Sequence, residues 1–125
     1  MDKLDSAEKA LAKLEAILLD PVKDEKTRDA SIQRFEFTSE ICWKLLQEVL
    51  KDDYMLEIRY PKGCYEAAFQ VGLLDETLCL SLNRTIKDRN LTSHTYHEGL
   101  AQQIFENLPE HAKAFRLLLE SIKAR

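Results

Sequence analysis

The chain has 125 residues, and its 18 basic and 22 acidic side chains give a formal net charge of −4. This length fits one domain, which we expect to span residues 1–125 around a single core. Few glycines and prolines, with many Leu, Ala, Glu and Lys residues, are typical of helices and not of strands. The acidic balance argues against a protein that coats nucleic acid, because such proteins are strongly basic.

The first residues alternate in charge, and no apolar run is long enough for a signal peptide or a membrane span. Three cysteines at unpaired spacings, without a CxxC, favour buried thiols in a reducing cytosol over a zinc ribbon or a disulfide framework. We therefore expect a soluble cytoplasmic protein that binds no metal and no cofactor.

The first half of the chain predicts two helices. Apolar residues spaced three and four apart indicate a helix over residues 4–19, which Asp20-Pro21 ends because proline disfavours helix in the residue before it. The longest helix is predicted over residues 27–51 and is apolar on two sides. Phe37, Ile41 and Leu45 lie opposite its main stripe, so this side is either core or a surface for a partner.

The second half predicts shorter helices. After a loop over residues 52–60, Pro61 begins a helix that ends at Gly72, a suitable left-handed cap. Asp75 caps a further helix that breaks near Ser93. Thr95 and Glu98 match a capping box that opens the next one, and the Asn-Leu-Pro at residues 107–109 should separate it from the last. The fold class is thus all-α, an up-and-down bundle of five to six helices.

One segment concentrates reactive side chains at a predicted helix break. Residues 89–96 read Arg-Asn-Leu-Thr-Ser-His-Thr-Tyr. Arginine offers a planar fork of donors to a phosphodiester, and histidine exchanges a proton near neutral pH. With a second acid for the leaving oxygen, Arg89 and His94 suffice for RNA cleavage without a metal, and a symmetric dimer would supply that second group. A purely structural interpretation stays open: Arg89 pairs with a carboxylate, His94 caps the preceding helix, and Tyr96 packs in the core.

Three segments carry a family resemblance over essentially the whole chain. One branch of the HEPN-domain proteins has similar segments in the same order. The segments that resemble them here are residues 34–44 (RFEFTSEICWK), 66–74 (EAAFQVGLL) and 88–96 (DRNLTSHTY, which contains R-x4-H-x-Y). The chain resembles this branch, the nucleotidyltransferase substrate-binding proteins, which are partners of small MNT-type nucleotidyltransferases. Tyr60 is a departure, since the branch often has Ser or a similar cap before the proline.

The resemblance implies a function and assigns roles to residues. Family members are helical bundles that typically dimerise, and several are the ribonuclease toxins of toxin–antitoxin pairs. The matching positions make Arg89 and His94 catalytic, with Asn90 orienting the phosphate or bracing the helix end. In such pairs the nucleotidyltransferase silences the toxin by transferring AMP to the tyrosine that matches Tyr96. The alternative is a non-catalytic partner subunit of the transferase, and a plain helical scaffold is a third possibility.

Other polar residues have simpler interpretations. Glu36 and Glu40 share a helix face, where they either brace Arg89 or His94 or form a solvated, salt-bridged surface. His97 is expected at the surface, and no role is assigned to His111. Although His94 and His97 have ligand-like spacing, no further convincing ligand accompanies them, so a zinc site is rejected.

The charge is uneven along the chain. Residues 1–57 hold nine basic and fourteen acidic side chains, against nine and eight in residues 58–125. Arg84, Lys87 and Arg89 cluster just before the reactive segment. The overall acidity is therefore compatible with a local phosphate site, and the acidic first helices offer a face to a more basic protein partner.

Overall fold

The computed structural model describes residues 2–125, and within them all regular structure is helical. One turn of 3-10 helix, Thr92–His94, lies between the last two α-helices. The five α-helices, joined by short connections, are α1 (Lys3–Leu18), α2 (Glu25–Tyr54), α3 (Pro61–Gln70), α4 (Glu76–Leu91) and α5 (Glu98–Ala124).

The two longest helices form the centre of the bundle. Helix α2, with 30 residues, extends about 45 Å and packs on the other four α-helices, while α4 also packs on α3 and α5. The apolar stripes of all five helices meet in one core, as the predicted up-and-down bundle requires. Its largest fully buried side chains are Leu11, Leu14, Phe35, Leu46, Leu50, Tyr65, Leu82, Ile104, Leu108, Phe115, Leu118 and Leu119.

Local capping explains where several helices begin. The Asp75 carboxylate accepts a hydrogen bond from the backbone N–H of Leu78 at 2.8 Å, which confirms the predicted cap of α4. Asp24 accepts one from Thr27 in the same way, so α2 begins before the predicted residue 27. Pro61 occupies the first turn of α3, and Gly72 adopts φ +82 just after that helix, both as predicted.

Helix α2 also ends later than predicted, at Tyr54 and not at residue 51. Met55 closes it in the left-handed conformation, with φ 57, and the backbone N–H of Leu56 donates to the carbonyl of Leu50 at 3.0 Å. This is the bonding pattern that usually selects glycine.

Two predicted boundaries near the C-terminus are wrong. Helix α5 continues through Pro109, because the proline ring faces solvent and buried Leu108 and Ala112 hold the helix against the core on either side. The capping box of Thr95 and Glu98 does not form, since α5 begins after His97.

The second apolar side of α2 divides between core and surface. Leu45 is buried, Ile41 is partly buried against the core, and Phe37 remains 52% exposed. Cys42, Cys64 and Cys79 are free thiols and are buried, as predicted. None of the helices in residues 2–125 is both long enough and apolar enough to cross a membrane.

Candidate functional site

Arg89 lies in the last turn of α4, at the seam with α2. Its Nη1 is 3.4 Å from the Glu36 carboxylate and donates to the Thr92 hydroxyl at 3.2 Å. That hydroxyl donates in turn to the Arg89 carbonyl at 2.7 Å. The Arg89 Nε is buried without a hydrogen-bond partner among the described residues, although the side chain as a whole is about one-third exposed. The guanidinium is held in place and keeps donors to spare.

The chain leaves α4 after Leu91, where side-chain hydroxyl groups bond to backbone carbonyls. Thr92 bonds the Arg89 carbonyl, and the hydroxyl of Thr95 donates to the carbonyl of Thr92 at 3.1 Å. The backbone N–H of His97 then donates to the carbonyl of His94 at 3.1 Å. Such local bonds compete with continued helix, so residues 92–97 form an ordered turn between α4 and α5.

The rings of this turn are exposed. His94 ends the 3-10 turn, and its ring lies edge-on to that of Tyr96, with centroids 6.2 Å apart. The Tyr96 ring is 75% exposed and also lies against His97 at 4.7 Å. Exposure rules out the core position for Tyr96 that the structural interpretation offered. It leaves the phenol oxygen open to a second protein.

Arg89 and His94 flank one end of α4 but share no hydrogen bond within residues 2–125. The side chain of His94 donates to no carbonyl of α4 in that range, so the proposed helix cap is not formed. Asn90 is exposed, and its amide is likewise without a hydrogen bond among the described residues. Three polar groups around the turn therefore remain accessible to a ligand.

The two carboxylates of α2 have different partners. Glu36 pairs with Arg89, whereas Glu40 accepts from the indole N–H of Trp43 and from Lys44, both at 3.1 Å. Partial burial alone would raise the pKa of the Glu40 carboxyl, but those hydrogen bonds, with the charges of Lys44 and Arg89, lower it below its usual range. Glu36 thus contacts Arg89 directly, whereas Arg89 affects Glu40 only through its charge.

A buried pair behind Arg89 escaped the sequence analysis. The Asp88 carboxylate lies 2.7 Å from Nε2 of His111 and accepts from the Asn107 amide at 3.1 Å. The imidazole stacks on Phe35 of α2 with ring centroids 5.2 Å apart. This contact joins α4, α5 and α2 next to the candidate site. In the sequence, this pair is indicated only by the position of His111 in the apolar stripe of α5, between Leu108 and Phe115.

Within residues 2–125 no three His, Cys, Asp or Glu side chains are grouped closely enough to hold a metal ion. His97, predicted at the surface, is exposed and precedes the first turn of α5.

Residues 2–124 match the family described as "nucleotidyltransferase substrate binding protein like". The chain belongs to this family. No curated protein matches the chain. Among solved structures, a protein of Thermus thermophilus is similar to it, with 42% identity, a TM-score of 0.87 and coverage of 91% of this chain and 96% of that one.

Two more distant structures share the fold. One is the tri-AMPylated HEPN toxin of Shewanella oneidensis in complex with an MNT antitoxin, with 17% identity, a TM-score of 0.81 and coverage of 98% of this chain and 95% of that one. The other is a mutant of the MntA–HpeT toxin–antitoxin, with 17% identity, a TM-score of 0.82 and the same coverage. At this identity the similarity establishes the helical bundle alone.

Proposed function

We propose that this protein is the HEPN-type partner of a minimal MNT-type nucleotidyltransferase and the metal-independent ribonuclease toxin of a toxin–antitoxin pair. The observation that carries this proposal is the end of α4, where Arg89 lies in the last helical turn and the exposed His94 and Tyr96 follow in the next turn of the chain. Family membership and the fold shared with a HEPN toxin and with MntA–HpeT support it.

The proposed reaction is cleavage of RNA through its own 2′-hydroxyl. The imidazole of His94 takes the proton of that hydroxyl, whose oxygen attacks the adjacent phosphorus. Arg89 binds the phosphate oxygens, on which negative charge grows as the fifth bond forms. The bond to the 5′-oxygen then breaks, leaving a 2′,3′-cyclic phosphate on one product and a 5′-hydroxyl on the other once that oxygen is protonated.

A homodimer completes this scheme. The leaving 5′-oxygen needs an acid, and each chain supplies one motif histidine. A two-fold axis beside the turn brings a second His94, in its protonated form, to the opposite side of the same phosphate. In this scheme Asn90, which is exposed and follows Arg89 in the sequence, helps to orient that phosphate.

The phenol of Tyr96 is the proposed point of control. Its oxygen attacks the α-phosphorus of ATP in the transferase active site, pyrophosphate leaves, and the phenolic proton passes to a base of the transferase. The product carries AMP on a ring that lies 6.2 Å from the ring of His94. Bulk and a negative phosphodiester then occupy the place that an RNA phosphate needs.

The catalytic proposal is tested with purified protein, single-stranded RNA and excess EDTA. We expect cleavage by the wild type and a loss of about 10²-fold or more in His94→Ala, the usual effect of removing a general base. His97→Ala, a neighbouring exposed histidine, is the matched control and should retain activity. Equal rates for His94→Ala and the wild type would disprove the assignment.

The modification is tested by co-expression with a minimal MNT-type nucleotidyltransferase from the same genome, followed by intact mass. We expect a gain of whole AMP units that maps to Tyr96, is absent from Tyr96→Phe and coincides with loss of cleavage. Modification of Tyr60, which is similarly exposed, would contradict the proposal.

A specific observation favours the second candidate, a non-catalytic partner subunit. Glu36, 3.4 Å from Arg89, already neutralises part of the charge that a phosphate would need. In that case the chain forms a stable complex with the transferase and cleaves no RNA, and His94→Ala has no effect on cell growth.

A further inference from the structure

The seam between α4 and α5 opens on the side of α4 away from Glu36, as a cleft with a volume of about 370 Å³. Arg84 and Lys87 line it from α4, and Gln103 and Asn107 from α5. Its floor is the buried pair of Asp88 and His111. The proposed reaction does not use this cleft.

The cleft reaches the candidate site. Its lining residues on α4 run from Ser81 to Leu91, a distance of about 15 Å along the helix axis. Leu91 is the last residue of α4, so the cleft ends where the turn that carries His94 begins. A chain bound at the turn could therefore continue into the cleft without crossing the core.

Two of the three exposed charged side chains that line the cleft are basic. Arg84 and Lys87 are exposed, lie three residues apart on one helix face, and have no ion-pair partner in the part of the chain that the structure describes. By contrast, Arg28, Arg116 and Arg125 each contact at least one carboxylate.

The cleft also holds two acidic residues, Asp88 and Glu110. The Asp88 carboxylate is buried and is bonded to His111 and Asn107. Glu110 is exposed and lies on α5 next to His111. Neither carboxylate forms an ion pair with Arg84 or Lys87 among the described residues, so both cations keep donors for an anion from outside.

We infer that this cleft binds the single-stranded RNA that adjoins the scissile phosphate, an inference that rests on the proposed ribonuclease function. Arg84 and Lys87 bind two successive phosphates, and the exposed amide of Gln103 faces a base edge. The exposed rings of His94 and Tyr96, at the end of the cleft, offer bases a surface for stacking. Single strands fit better than a duplex, because the cleft is a groove between two packed helices.

The inference is tested by the binding of a fluorescent single-stranded oligoribonucleotide to protein carrying His94→Ala, so that the RNA stays intact. Adding Arg84→Glu and Lys87→Glu should weaken binding by about tenfold or more at low salt. The slope of log K against log salt should fall by about 1.4, the value for two phosphate contacts on a single strand. The matched control, Lys9→Glu with Lys13→Glu on α1, makes the same change in net charge and should have a much smaller effect.

A second arm separates this inference from the ribonuclease proposal. With His94 intact, Arg84→Glu with Lys87→Glu should raise KM for a long RNA and leave both kcat and the cleavage of a dinucleotide unchanged. Binding that depends on the cleft without any cleavage would support the inference and refute the ribonuclease. The inference would be overturned if Arg84→Glu with Lys87→Glu left KM for a long RNA unchanged. It would also be overturned if the α1 control weakened RNA binding equally.

Discussion

Two arginines in different seams of this bundle differ in how completely their charges are paired. In the seam of α1 and α5, Arg116 donates to Glu8 at 2.7 Å and to Glu15 at 2.6 Å, and Glu8 also contacts Lys123. At the end of α4, Arg89 has one carboxylate at 3.4 Å and an Nε without a partner among residues 2–125. Paired arginines join helices, whereas an arginine with donors to spare can bind a ligand.

The largest effect should come from the packed side of the molecule. Phe115 is fully buried and lies against Phe35, with ring centroids 6.1 Å apart. Phe115→Ala should lower the free energy of unfolding by about 3–5 kcal/mol, measured by urea denaturation. Tyr96→Ala, which removes an equally large but exposed ring, should change it by less than about 0.5 kcal/mol. Similar losses of unfolding free energy for Phe115→Ala and Tyr96→Ala would contradict the contrast between the packed region and the turn.

An intermediate effect is expected where the two regions meet. His111→Leu keeps an apolar contact with Phe35 but leaves the buried Asp88 carboxylate with Asn107 as its sole remaining partner. We expect a loss of about 1–3 kcal/mol, the cost of an unsatisfied buried polar group. The control His94→Leu, at an exposed histidine, should leave the melting temperature unchanged. A His111→Leu protein as stable as the wild type would show that the pair contributes nothing to the seam.

The smallest effect concerns the pH dependence of the ion pairs that Glu8 forms with Arg116 and Lys123. Hydrogen bonds from Lys123 and Arg116 lower the pKa of the Glu8 carboxyl below its ordinary value of 4.5. Its contribution is therefore complete above that value and is lost as the pH falls through the lowered pKa of the folded state. Glu8→Gln should cost about 1 kcal/mol or less at neutral pH and reduce the acid dependence of stability, measured by thermal melts between pH 2 and 7. An unchanged acid dependence would contradict this role.

Periodicity and local caps predicted most of the fold. Asp75, Pro61 and Gly72 act within one turn of their own helix, so their effect can be read locally. The missed boundaries depend on distant contacts. Glu98 directly follows the N-cap, His97, and so does not lie at the third position that a capping box needs. Its carboxylate instead binds Arg28, 70 residues earlier in the chain, at 2.8 Å. Likewise, packing on both sides of Pro109 offsets the hydrogen bond that the proline removes.

In the candidate site, too, the local features could be predicted from the sequence and the distant contacts could not. Arg89, His94 and Tyr96 lie in one short segment, so the sequence alone indicates them as candidate site residues. The pair of Asp88 and His111 joins residues 23 apart on two helices. Its recognition required the packing angle of α4 on α5, which no local pattern contains. Glu36 was predicted either to brace Arg89 or to form a solvated, salt-bridged surface, and its contact with Arg89 fits both interpretations.

The burial of the cysteines has a practical consequence. Desolvation raises the pKa of the Cys42 thiol to about 12 and that of Cys64 to about 11, and it also raises the pKa of Cys79. Because alkylating reagents attack the thiolate, these native thiols should be unreactive at neutral pH. A single cysteine introduced as Tyr96→Cys would then take a fluorophore or spin label selectively, and it would report from the turn without a cysteine-free background.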